Sequence, residues 1–424
     1  MTLKQAYIIC LLVFVALCFL LPQPGRYDTS FWVDWARGMQ TTGLAHAYSI
    51  DDLNYNPLYL YIIRAYAYFV SPEGVEPNIN VLKILTLIFD VGAVMFLMRW
   101  LKQNHVDFFA GFFILFNIAY LYNTLCWGQI DAIHTTLVFV AFVMATQQKF
   151  TGSVLFYLLA LNVKTQAILF LPPLLLLWLP LMRLTTAKTY VKTLLWVVGI
   201  QTLILLPFIL KGTIGNVWDN LVGVVDYNPF LSMRAYNFWY VAAWEVEPDI
   251  PRHIADTNTY FGIAAKTWGF VLFFISSALA LLPILLKAII YTIKRKTFAF
   301  ANAELVFLAL TLVAILFFYF PTQMHERYSH PAVLFAGIYF VLSRRWVIFL
   351  FTSYAYLMNL EAVDKCWKLK NYHTLIFDPR LIAGLYGVAI ALGILQMYRS
   401  YNFKGDWVEF KEALFSKSSQ YRTL

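Results

Sequence analysis

Five short stretches of this chain carry the side chains best suited to chemistry. In Phe31-Trp32-Val33-Asp34-Trp35-Ala36-Arg37 a carboxylate has tryptophans on both sides in sequence. Partial desolvation would raise its pKa and suit it to proton abstraction; the plainer reading is an interfacial acid beside an aromatic belt. In Met324-His325-Glu326-Arg327-Tyr328-Ser329-His330-Pro331 three ionisable types stand in a row next to an apolar run. Charge at such a depth is costly unless it is paired or faces a cavity. A guanidinium there can hold a phosphate through a bidentate pair; otherwise the stretch is a snorkelling boundary. His325 and His330 lie five apart with Pro331 following, which is not the spacing of a helical metal site, so no metal is expected. Lys164, in Leu161-Asn162-Val163-Lys164-Thr165-Gln166, can neutralise an anionic headgroup or simply snorkel from a helix end. In Trp127-Gly128-Gln129-Ile130-Asp131 the glycine allows a close turn, and Gln129 and Asp131 offer hydrogen bonds to hydroxyls. The alternative is an ordinary helix start favoured by the dipole. In Ser232-Met233-Arg234-Ala235-Tyr236-Asn237-Phe238-Trp239, Arg234 can meet phosphate and the aromatics can stack on a sugar or line a lipid chain. The alternative there is a loop helix with a membrane-facing aromatic edge. Glu245, Glu247 and Asp249 nearby are weak grounds for a divalent cation.

The elements that must position these residues follow from composition. Of 424 residues 61% are apolar and only 13% charged, well below the quarter usual in soluble domains. Disorder and a small disulfide scaffold are excluded. Cys10, Cys18, Cys126 and Cys366 form no CxxC or metal-type spacing, so buried free thiols are expected. Apolar runs near the length that crosses hydrocarbon fall at 5–22, 80–98, 107–124, 130–147, 151–163, 165–181, 190–210, 262–291, 302–320, 331–343, 346–360 and 379–398. The first reads as an uncleaved anchor, because Leu-Pro-Gln-Pro-Gly rather than a small-residue cleavage site follows it. Residues 57–70 are too short, carry Arg64 at the centre and repeat tyrosine, so they read as a helix lying in the interface.

The distribution of positive charge orients this scheme. With the N-terminus in the cytoplasm, 18 of the 32 basic residues and 5 of the 23 acids fall inside, for +13. The outer side then holds 14 bases and 17 acids, for −3, and Asp90 sits within a span as a polar contact of the bundle. The net +9 therefore reports membrane orientation and not nucleic-acid binding. The expectation is an all-α polytopic membrane protein of about twelve transmembrane helices. Residues 1–398 form one domain with large non-cytoplasmic loops at 23–79 and 211–261, and 399–424 form a short cytoplasmic tail. Every reactive stretch except Asp90 then lies on the outer side.

At this point the chain resembles the GT-C superfamily of integral-membrane glycosyltransferases, in particular bacterial polyprenyl-phosphate-mannose mannosyltransferases and dolichyl-phosphate-glucose glucosyltransferases. Asp34-Trp35-Ala36-Arg37 is similar to the acidic motif of the first outer loop. Asn54-Tyr55-Asn56-Pro57-Leu58 is similar to a Tyr-Pro-Pro-Leu run with Asn56 in place of the first proline. Trp127-Gly128-Gln129-Ile130-Asp131 resembles a bacterial motif. The Lys164-Thr165-Gln166 stretch with Pro172-Pro173 resembles the Lys-Gln and Pro-Pro segment. Ala235-Tyr236-Asn237-Phe238-Trp239 resembles the Asn-Phe-Trp end of the long outer loop. His325-Glu326-Arg327 resembles a His-Glu-Lys motif, with arginine for lysine. The resemblance implies Asp34 as catalytic base and Arg327, Lys164, Arg234 and His325 as donor-phosphate ligands. Gln129, Asp131, Tyr55, Asn237, Trp239 and Glu326 become substrate-binding positions.

The expected reaction is inverting transfer of a hexose, mannose favoured and glucose possible, from a polyprenyl-phosphate carrier. The acceptor is a hydroxyl of a glycan, glycolipid or protein, and no cofactor is expected. The expected place is the outer side of a bacterial cytoplasmic membrane, with both termini cytoplasmic. The competing reading is a transporter or flippase of a lipid-linked sugar, which would place paired ionisable groups near the bilayer midplane.

Overall fold

The computed structural model describes residues 1–19, 28–223, 228–243, 250–408 and 410–411. Its helices in chain order are α1 (Leu3–Phe19), α2 (Asp28–Thr42), α3 (Pro57–Phe69), α4 (Val81–Gln103), α5 (Phe112–Leu115), α6 (Ile118–Tyr122), α7 (Asp131–Thr146), α8 (Phe150–Val163), α9 (Leu171–Leu184) and α10 (Ala187–Leu210). There follow α11 (Ile214–Gly223), α12 (Phe238–Ala242), α13 (Ala265–Lys294), α14 (Ala303–Tyr319), α15 (His330–Ser343), α16 (Val347–Asp364) and α17 (Pro379–Ser400). Among the described residues the sheet content is one antiparallel pair of two-residue strands, Thr259–Tyr260 against Ile263–Ala264.

Helix occupies each of the twelve apolar runs. Among the described residues six stretches are long and apolar enough to cross a membrane unaided: Val81–Gln103, Thr165–Leu184, Ala187–Leu210, Ala265–Lys294, Phe300–Tyr319 and Pro379–Ser400. The run at 107–124, expected as one span, is a pair of helices bent by 54°. Asn117 is the cause. Its Oδ1 accepts the Tyr120 amide at 3.3 Å and its Nδ2 donates to Ser353 Oγ at 2.8 Å, so the side chain takes over backbone hydrogen bonding and starts a new helix.

Layering follows from hydropathy. α14 is apolar all round and nearly every one of its residues is buried, as expected of a central helix. α10 and α13 are equally apolar but leave Leu195, Leu203 and Phe274 more than 60% exposed, a surface suited to lipid. Residues 57–69 form α3 as expected and are not among the long spans. Arg64 does not point to solvent: its Nη1 donates to the Met39 carbonyl at 2.8 Å, closing the C-terminal turn of α2.

The segments assigned to the cytoplasm meet one another at one end of the bundle. Lys287 pairs with Asp406 at 3.0 Å, Arg345 with Glu304 at 3.6 Å, and Arg344 with Asp107 at 3.9 Å. The segments assigned to the opposite side also converge, and they build the candidate site.

Candidate active site

α7 begins where the chain makes a tight reversal. A π turn over Asn123–Trp127 runs into Gly128, whose φ of +76° is left-handed. A Cβ at Gly128 would stand 3.0 Å from both Lys83 Cε and Thr29 Cγ2, so glycine is required here for conformation and for space. The turn delivers Gln129 and Asp131 into the interior, each no more than 1% exposed. Gln129 Oε1 accepts from the Tyr55 hydroxyl at 3.2 Å. Asp131 accepts from Asn123 Nδ2 at 3.1 Å and forms an ion pair with Lys164.

Lys164 sits in extended backbone between α8 and the 3₁₀ run Thr165–Phe170. Asn56 holds that junction, donating from Nδ2 to the Leu161 carbonyl at 2.6 Å and accepting from Thr165 Oγ1 at 3.1 Å. Lys164 Nζ stands 5.5 Å from the centre of the Tyr328 ring, and the Arg327 guanidinium lies at the same distance from that ring. One aromatic ring therefore gathers two cations.

The chain from α14 to α15 carries His325, Glu326 and Arg327. α13 packs closely beneath it: a Cβ at Gly269 would lie 2.8 Å from the Phe320 carbonyl oxygen. Glu326 is buried and pairs with Arg327 Nη1 at 3.1 Å, and the Arg327 side chain keeps 13% exposure. Burial, then the charges of Arg327 and Lys164, hold the His325 imidazole well below its ordinary range, against the opposing pull of Asp131. His325 is therefore neutral at pH 7.

The loop at 211–261 lies against this segment. Met233 N donates to the Met324 carbonyl at 2.8 Å and Gln323 N to the Phe230 carbonyl at 3.0 Å. Arg234 takes a left-handed φ of 65°, uncommon for a residue with a side chain. Buried Asn359 holds it there: its Nδ2 donates to the Arg234 carbonyl and its Oδ1 accepts the Tyr236 amide, both at 2.9 Å.

Between these elements lies a cavity of about 480 Å³ lined by Trp127, Phe230, Met233, Arg234, Arg252, His253, His325, Glu326, Arg327 and Val363. Three arginines and one buried glutamate are among the lining residues, so the cavity carries net positive charge suited to an anion.

Of the eleven residues singled out in sequence, Arg234, His325, Glu326 and Arg327 line this cavity. Lys164, Asp131, Gln129 and Tyr55 form a connected layer behind it. Asn237 and Trp239 are buried pins and not part of the lining. Asn237 Nδ2 donates to the Phe318 carbonyl at 3.1 Å, and Trp239 Nε1 donates to the Phe320 carbonyl at 2.9 Å. Asp34 stands on the exposed face of α2, and the desolvation anticipated from its tryptophan neighbours does not occur. Trp32 and Trp35 turn into the bundle at 0% and 3% exposure, because residues one and two apart on a helix point to different sides. That inner face reaches the site: Trp35 meets the Tyr55 ring edge-on at 5.0 Å. Glu245, Glu247 and Asp249 lie outside the described residues, and no cluster able to hold a metal occurs among those described.

Arg252, His253 and Asn359 were missed. Arg252 shares with Arg234 the signal of an arginine in a long aromatic loop, and Asn359 that of a lone amide in an apolar run. His134 and His330, both buried, lie close enough to Asp131 to feel its charge.

A family model described as ALG3 protein matches residues 78–231, just over a third of the chain. It spans the Gly128–Asp131 turn, Lys164 and the start of the loop at 211–261. No curated protein matches the chain. Together with the apolar helices, the family match supports a multi-pass membrane glycosyltransferase of the GT-C type.

Proposed function

We propose that the protein transfers a hexose, with inversion, from a polyprenyl-phosphate carrier to an acceptor hydroxyl on the non-cytoplasmic side of a bacterial cytoplasmic membrane, with both termini cytoplasmic. The observation that carries this reading is the cavity in which Arg234, Arg252 and Arg327 converge beside neutral His325. The ALG3 match favours mannose as the sugar. The Trp127–Asp131 motif favours a bacterial polyprenyl carrier.

In the proposed reaction the acceptor oxygen attacks the anomeric carbon as the bond from that carbon to the carrier phosphate breaks. A single displacement inverts the configuration. Negative charge grows on the departing phosphate, where preorganised cations contribute most. Arg327 and Arg234 meet it directly, and Glu326 fixes the Arg327 fork at 3.1 Å. His325 offers a neutral ring N–H. Lys164, with its charge balanced by Asp131, supports Arg327 through Tyr328. Asp34, exposed and with no ion-pair partner among the described residues, takes the acceptor proton.

The test is a donor screen. Purified protein in liposomes receives polyprenyl-phosphate mannose and polyprenyl-phosphate glucose, each labelled in the sugar, with candidate glycan, glycolipid and peptide acceptors. The expected result is release of lipid phosphate and a new glycoside from the mannose donor. Movement of intact labelled donor across the bilayer, without phosphate release from either donor, would overturn the proposal in favour of a transporter.

A further inference from the structure

Two of the four cysteines meet beside the cavity. Cys126 is in the π turn before Gly128, and Cys366 lies two residues beyond the end of α16. The Cys366 side chain neighbours the Cys126 thiol, and both side chains are half-buried, not sequestered as expected from the sequence. The surrounding contacts hold the two stretches together independently of the sulfurs. The Tyr122 hydroxyl donates to Glu361, and to Asp364 Oδ2 at 3.3 Å, while the Tyr122 ring meets Trp367 edge-on at 6.2 Å. Buried Lys83 donates to the Leu125 carbonyl at 3.1 Å and faces Cys126, Asp364 and Cys366 together. Trp127 and Val363, each within three residues of a cysteine, are opposite walls of the cavity.

We propose that Cys126 and Cys366 form a disulfide that staples these two walls. Both cysteines fall on the side assigned as non-cytoplasmic, where oxidising conditions permit disulfides. The oxidant is a disulfide-bearing thiol compound or protein of that compartment. One cysteine thiolate attacks the oxidant disulfide, forming a mixed disulfide and releasing one thiol. The second cysteine attacks the mixed disulfide and releases the other thiol. Two electrons and two protons pass from the cysteine pair to the oxidant. Lys83 supplies positive charge beside the thiolate intermediates. The inference rests on membrane orientation and on this contact, and it is independent of which sugar or lipid the cavity takes.

Thiol mapping of the full-length protein tests it. Membranes are acid-quenched without reductant, denatured and alkylated with N-ethylmaleimide. They are then reduced and labelled with maleimide-polyethylene glycol, which retards the protein on a gel once per cysteine. Two labels are expected on the wild type and none on Cys126→Ser or Cys366→Ser, with the joined peptides found by mass spectrometry. Should a variant fail to fold, the joined wild-type peptides decide alone. The proposal is overturned if the wild type takes no label even after incubation with oxidised glutathione, or if the labels persist in both single variants.

Discussion

The Lys164–Asp131 pair allows a charge that holds the fold to be separated from a charge that serves the reaction. Asp131 is 1% exposed and its carboxylate is satisfied by Lys164 and by Asn123 at 3.1 Å. Lys164→Met leaves that carboxylate buried with an amide as its remaining described partner. Removing one member of a buried pair costs about 3–5 kcal/mol. The reverse change, Asp131→Asn, leaves an ammonium that retains 13% exposure and a neighbouring aromatic ring, and it should cost less, about 1–3 kcal/mol. The double variant Lys164→Met/Asp131→Asn removes both charges and keeps the volume, so most of the stability lost in Lys164→Met should return. Thermal unfolding in detergent, followed by size-exclusion fluorescence, reads this directly. Transfer from labelled donor reads the other role. Lys164 acts on the phosphate through Tyr328 and Arg327, and a lost cation–ring contact is worth about 0.5–2 kcal/mol, so the double variant should still transfer roughly 2–30-fold more slowly than the wild type. A double variant no more stable than Lys164→Met would refute the ion-pair argument. A double variant with both stability and transfer restored would remove Lys164 from the reaction.

Asp34→Asn should lower sugar transfer by roughly 10²–10⁴-fold, the usual contribution of one general base. Thermal stability should be unchanged because the side chain is exposed; near-normal transfer by a folded variant would exclude Asp34 as the base. Asn359→Ala removes both hydrogen bonds that hold Arg234 in its left-handed conformation. It should raise KM for the donor more than it lowers kcat, and an equal loss in both would place the effect on the reacting atoms instead. His325 has a depressed pKa, so the unfolded chain takes up its proton before the folded one does and stability must rise with pH. The contribution is complete above about pH 6.5 and is lost as pH falls below it. The melting temperature of His325→Gln should accordingly decline less than that of the wild type on acidification from about pH 7 to 5.

The scale of the architecture was legible because membrane insertion writes it into long windows of sequence. Hydrocarbon thickness sets run length, and the asymmetry of basic residues divides the connecting segments into two groups. The pairing of Lys287 with Asp406 and of Arg345 with Glu304 agrees with that division, since these residues lie far apart in the chain yet were assigned to one side together. The bend at Asn117 was not legible. Its cause is a single amide whose partner, Ser353, is more than two hundred residues away. The same limit governs the site. His325, Glu326 and Arg327 could be found because consecutive charges beside an apolar run have few structural uses. Asn237 and Trp239 were assigned to substrate because polar and aromatic side chains in a loop look alike whether they face a cavity or a carbonyl. Here both reach carbonyls, those of Phe318 and Phe320, which a helix end leaves without intrahelical partners. Those two side chains cap α14 at the point where the chain turns toward His325. Their effect on the cavity therefore runs through the backbone that carries Arg327, and the packing that ends a buried helix is what aims its ionisable residues.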